Sequence, residues 1–223
     1  MLELYDVLIV AHALCFVYWL GGDLGVFYSS GIVIKPGLSK ETRLITAKIF
    51  HWLDQFPRVC MPLIAALGTT MANLQGWFQL SSGWLLLVWI VAIAWIFNVI
   101  YLFLNEESNA TAELVRKVDF AMRWVFSIGI AVLAIMSFVG SGITQDAWLA
   151  AKLLIYSGTI FLGIISRLTM KPFGPAFKRI LSNGDTAADL EILRTTLFRT
   201  RIPIIGIWFL VFLAGAIGII KPF

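Results

Sequence analysis

Charge is scarce in this sequence. Asp, Glu, Lys and Arg make up 13% of the 223 residues, and 60% are hydrophobic. A soluble domain keeps about 25% of its residues charged to hold its surface in water. So low a charge content excludes an ordinary soluble domain and requires an outer surface that faces something apolar. Cysteine is scarcer still. Cys15 and Cys60 both fall in apolar runs and form no CxxC pair, so their spacing carries no zinc motif and no information on redox compartment. Gly-rich phosphate loops and nucleophile triads are also missing. The first residues, Met1 to Asp6, have neither a positive n-region nor a small-residue cleavage site. The first apolar run is therefore expected to direct membrane insertion itself.

What is abundant is apolar sequence in runs of spanning length. A helix needs about 20 apolar residues to cross a bilayer, and without water its backbone can be satisfied only as helix. Six runs qualify, at about Leu4–Ser29, Ile49–Asn73, Gly83–Leu104, Phe120–Val139, Ala147–Leu168 and Ile202–Ile220. They predict an all-α polytopic membrane bundle of about six transmembrane helices. It forms one domain over residues 1–223, with a cytoplasmic amphipathic segment at about 173–200. In that segment Asn183-Gly184 predicts a turn. Asp185 or Thr186 would then cap a short helix running to about Arg199.

The Lys and Arg residues alternate from loop to loop. Fifteen of the seventeen fall in or beside the first, third and fifth connections, and only Lys152 and Lys221 lie on the other side. The positive-inside rule places those three connections in the cytoplasm and both termini outside. The net charge of +4 follows from this asymmetry and is not a nucleic-acid signal. The expected location is the bacterial inner membrane.

Polar residues inside the apolar runs are costly and mark candidate sites. His12, Trp19 and Asp23 are spaced by seven and four, on one face of the first helix. Gly21, Gly25 and Ser29 form a small-residue row beside them, which predicts close packing of another backbone. On the second helix, His51, Asp54, Gln55, Arg58 and Pro62 share a broad face. With Arg123 on the fourth helix, Asp23, His51, Asp54 and Arg58 are expected to form a polar cluster near the cytoplasmic face, suited to an anionic group or to an ion network that locks the helices. Imidazole in a membrane is a common axial ligand of haem iron. His12 is therefore the candidate metal ligand, with Trp19, His51 and Arg123 as candidate cofactor contacts and Asp23 and Arg58 as candidate catalytic groups. His51 is expected roughly 20 Å deeper along the membrane normal than His12, too far for one haem to join both. Met71 and Met136 are the alternatives for a second ligand.

The stretch His12-Ala-Leu-Cys-Phe-Val-Tyr-Trp19-Leu-Gly-Gly22 resembles the first helix of the HemJ-type protoporphyrinogen oxidases and the related CopD-type copper-resistance membrane proteins. The second helix is similar as well, with Asp54 to Arg58 leading into Met61-Pro62 and then Gly68. The chain differs from that pattern in its six predicted helices and in the lack of a basic residue on the third. The resemblance implies haem b bound through His12 and a redox role, with a quinone or a partner protein exchanging electrons. It also implies two alternatives, oxidation of a porphyrinogen and CopD-like copper transport. A structural subunit of a larger membrane complex, or a homo-oligomer, is the reading in which the polar stripes serve packing alone.

Overall fold

A computed structural model describes residues 3–105 and 109–222. Among these residues every regular element is helical: α1 (Leu4–Val33), α2 (Lys40–Leu53), α3 (Gln55–Leu74), α4 (Ser82–Leu104), α5 (Ala110–Phe138), α6 (Ala147–Thr169), α7 (Phe173–Asn183) and α8 (Ala187–Ile220). Several starts are fixed by side-chain caps. Ser39 accepts from the Thr42 amide at 3.2 Å, and Asn109 from the Ala112 amide at 2.7 Å. Each satisfies one of the amides that a helix start leaves free.

Six helices form the bundle in chain order. α1 packs on α3, α3 on α4, α4 on α5, α5 on α6, α6 on α8, and α8 returns to α1. The ring is therefore closed, with its thinnest seams at α4/α5 and α1/α8. Its core combines Cys15 and Trp19 of α1, Cys60 and Leu67 of α3, Trp95 of α4 and Ile160 of α6. The outer face carries large exposed apolar side chains on every side, among them Val17, Ile90, Phe97, Ile128 and Phe209. Among the described residues, five helical stretches are long and apolar enough to cross a membrane. α3 is the sixth member of the ring and the more polar one, lying between α1 and α4.

Three expectations change. The run Ile49–Asn73 is not one helix: the chain turns at Asp54, which separates α2 from α3. Pro57 thereby falls in the first turn of α3, where its missing amide costs no hydrogen bond. Pro62 remains inside α3. Second, Thr186 does cap a helix, accepting from the Asp189 amide at 3.1 Å. That helix does not stop near Arg199 but continues through Pro203 to Ile220. Buried Leu190, Leu193 and Leu197 pack with Phe173, Ala176 and Ile180 of α7 and with Val33 of α1, so the start of α8 is held by its own core. Third, the close-packing row on α1 keeps Gly25 and buried Ser29 but takes Gly22 in place of Gly21. A Cβ at Gly21 would meet nothing within 4 Å, whereas one at Gly22 would stand 2.9 Å from Phe56 and Pro57, and one at Gly25 2.6 Å from Leu53.

Candidate functional site

Two cavities lie at opposite ends of the ring, one bordered by α1 and α8 and the other by α4 and α5. The first, of about 780 Å³, lies between α1, α3, α6 and α8 at the end away from the basic loops. His12 and Trp19 line it from α1, Gly68 and Met71 from α3, and Lys152 and Tyr156 from α6. Trp77 and Trp148 meet edge to face at 5.0 Å, and both border the cavity. Lys221 holds its Nζ 4.2 Å from the Trp77 ring centre. Tyr156 donates its hydroxyl to the Met61 carbonyl at 2.9 Å, which fixes that side chain against the wall.

His12 is set by its helix neighbours. α3 passes so closely that a Cβ at Gly68 would stand 3.1 Å from His12 Cε1; glycine leaves the ring in this position without pressing it aside. The Ile64 backbone also faces the imidazole, yet buried Nδ1 has no hydrogen-bond partner among the described residues. Buried polar groups are rarely left this way. A molecule in the cavity that His12 could ligate or bond would satisfy the ring.

The second cavity, of about 570 Å³, lies at the basic end between α2, α3, α4, α5 and α6. Its wall carries Arg58, Arg116, Lys117, Arg123, Arg167 and Lys171. Asp119, fully buried, is the one carboxylate among the described lining residues. It accepts from Arg123 at 3.0 Å and, across the helix interface, from Arg167 at 2.5 Å. Arg58 pairs with Asp54 one turn earlier. Arg123 is further held over the Trp95 ring at 5.3 Å, a favourable seat for a guanidinium. His51 stacks on Phe103 with ring centres 5.2 Å apart.

The residues singled out from sequence thus divide between two places. His12 and Trp19 share the first cavity, with Met71 but not Met136, which is 40% exposed on the outer face. His51, Arg58 and Arg123 share the second. Asp23 lines neither. It accepts from Trp208 of α8 at 3.3 Å, because the α1 stripe that carries it turns toward α8 at that depth. The expected cluster is therefore extended by a basic pocket built with Asp119 and Arg167, while Asp23 lies outside that pocket's wall, near enough to interact electrostatically with Asp54 and Arg58, and ties α1 to α8. Lys152 and Asp119 were not among the expected site residues. The signal for each was present: a lone lysine inside an apolar run, and an acid four residues before Arg123.

The closed ring of apolar helices defines an integral membrane protein of the polytopic helical class. No family model, characterised protein or solved structure matches the chain.

Proposed function

We propose that the protein is a b-type haem membrane protein with a redox role, its haem seated in the 780 Å³ cavity. The observation that carries this reading is the His12 ring on the cavity wall, packed on Gly68, with a buried Nδ1 that has no hydrogen-bond partner among the described residues. The cavity volume falls within the range of about 300–1,000 Å³ used by small-molecule and cofactor sites. Its walls suit a flat apolar ring. Trp19, Phe16, Trp77 and Trp148 supply aromatic surface, and Lys152 and Lys221 supply cations for acid groups. Among the described residues no group of three or more His, Cys, Asp or Glu could hold a metal ion. Iron held by a tetrapyrrole needs only one or two protein ligands, and His12 and Met71 are the candidates on this wall.

When bound, haem supplies one-electron exchange at its iron. The chain's own part is to hold the ring at a fixed depth through His12, exclude water with the aromatic wall, and neutralise the acid groups with Lys152. A quinone or a redox partner protein exchanges the electrons in a bacterial plasma membrane, and the asymmetry of Lys and Arg supports an orientation with the basic connections on the cytoplasmic side. The test is an absorption spectrum of protein purified from haem-replete cells, oxidised and reduced. A Soret band that His12→Ala abolishes, with the helix content unchanged, is the expected result. A colourless, iron-free preparation, or a spectrum indifferent to His12, overturns the reading.

A further inference from the structure

The basic pocket at the other end of the ring is not used by the haem reading. It shares no lining residue with the first cavity. Among the described residues, Arg58, Lys117, Arg123, Arg167 and Lys171 line the pocket beside one lining carboxylate, Asp119, and the carboxylates that pair with these cations are already committed. Asp119 is shared by Arg123 and Arg167, and Asp54 is taken by Arg58. Lys117 and Lys171, both exposed at the mouth, stand within ion-pair distance of no carboxylate among the described residues. A packing network would be expected to balance its charges. Among the described residues this one keeps an excess of positive charge around an open volume at the basic end of the ring.

The composition of the wall narrows what would fill it. Forked guanidinium groups beside ammonium groups match a phosphate, which offers several oxygens and up to two charges. One carboxylate would neutralise only part of the excess. Part of the wall is apolar, with Val99, Leu102, Phe103 and Phe120, and both α4 and α5 line the pocket where their mutual contact is thin. A phosphate that carries an acyl body meets both parts of this surface, and basic pockets between membrane helices are known to take anionic head groups.

We infer that the pocket lined by Arg58, Lys117, Arg123, Arg167 and Lys171 binds the phosphate group of an anionic amphiphile, a phospholipid of the inner leaflet. The full-length protein, purified in a neutral detergent, tests this by its thermal unfolding, followed by tryptophan fluorescence. The titrants are dioctanoyl phosphatidic acid, dioctanoyl phosphatidylcholine and inorganic phosphate. Phosphatidic acid is expected to raise the unfolding temperature saturably, and phosphatidylcholine to leave it unmoved. Lys117→Gln combined with Lys171→Gln is expected to raise the half-saturating concentration about tenfold. Lys117→Arg with Lys171→Arg should restore it, which separates a binding role from a fault in folding. Inorganic phosphate acting at the same concentration as phosphatidic acid would support the site and make free phosphate its occupant. Equal shifts with the two lipids, or a response unchanged in the Gln variant, would overturn the inference. His12→Ala should respond to phosphatidic acid like the wild type, so the result is independent of whether haem is bound.

Discussion

At the scale of single residues the argument turns on how little space surrounds the His12 ring. Gly68 is the other half of that arrangement, since a methyl group there would press on Cε1 from 3.1 Å. Overpacking of this kind costs about 1–3 kcal/mol. If the cavity holds haem as proposed, Gly68→Val is expected to weaken its retention by roughly tenfold, with Gly68→Ala falling between it and the wild type. Soret absorbance per protein measures the loss, and circular dichroism should show the helices intact. Full retention in the Val variant would mean that α3 does not set the imidazole. The spacing of His12 and Trp19 on one helical face was legible in the sequence, because it follows from the pitch of a single helix. The contact between His12 and Gly68 was not, because it depends on the relative height of two helices, which no local pattern encodes. Lys152 escaped for a related reason. Near the start of an apolar run it resembles an interfacial charge, and only the packing of α6 on α8 turns it toward the cavity, with its Nζ 2.6 Å from where a Cβ at Gly218 would stand.

At the scale of elements, α5 and α6 are joined by two polar devices of different cost. Ser127 and Ser157 exchange hydroxyl bonds to each other's backbone carbonyls, at 3.2 and 2.7 Å. More than two turns toward the basic end, Asp119 accepts from Arg167 and so ties the same pair by charge. Removing one member of a buried ion pair strands its partner and costs about 3–5 kcal/mol, more than a neutral hydrogen bond returns. Asp119→Ala should therefore lower the unfolding temperature in detergent clearly further than Ser157→Ala. Adding Arg167→Ala to Asp119→Ala should recover part of that loss, because one stranded cation is removed. If the double variant is worse by the sum of the two single effects, the pair is not coupled. The helices themselves were largely legible, because an apolar run of spanning length has few alternatives in lipid. The break at Asp54 was not, since neither glycine nor proline stands there and Pro57 follows only three residues on. What separates α2 from α3 is tertiary: α2 turns its buried Arg43 toward the end of α1.

At the scale of the whole molecule, a ring of helices in chain order has one joint that connectivity cannot supply, the one between its first and last members. α1 and α8 approach each other only thinly, and the haem-sized cavity opens beside them. Their closure depends on polar ties toward the basic end. Trp208 reaches Asp23, and Arg201 lies 4.2 Å over the Phe27 ring and donates to its carbonyl. The third tie is Arg43, with 1% of its side chain exposed. It donates to the Val33 carbonyl at 2.5 Å and to the Lys35 carbonyl at 3.2 Å, and reaches Asp185, in the connection from α7 to α8, at 2.8 Å. Asp185 in turn accepts from the Gly37 amide at 2.9 Å. One guanidinium thus binds the end of α1 to the segment that leads into α8, across 142 positions of sequence. Arg43→Ala strands Asp185 and two carbonyls together, so both connections should loosen at once. Limited proteolysis of inside-out vesicles is expected to cut near residues 35–42 and 178–186 several times faster than in the wild type. Arg43→Lys should fall between, because an ammonium is a single point of charge and cannot span the same acceptors as the planar fork. The Soret band of the Ala variant reports the other end of the joint. Faster haem loss would show that the basic-end clamp holds the outer cavity shut, and unchanged cleavage at both connections would show that the ring closes without it.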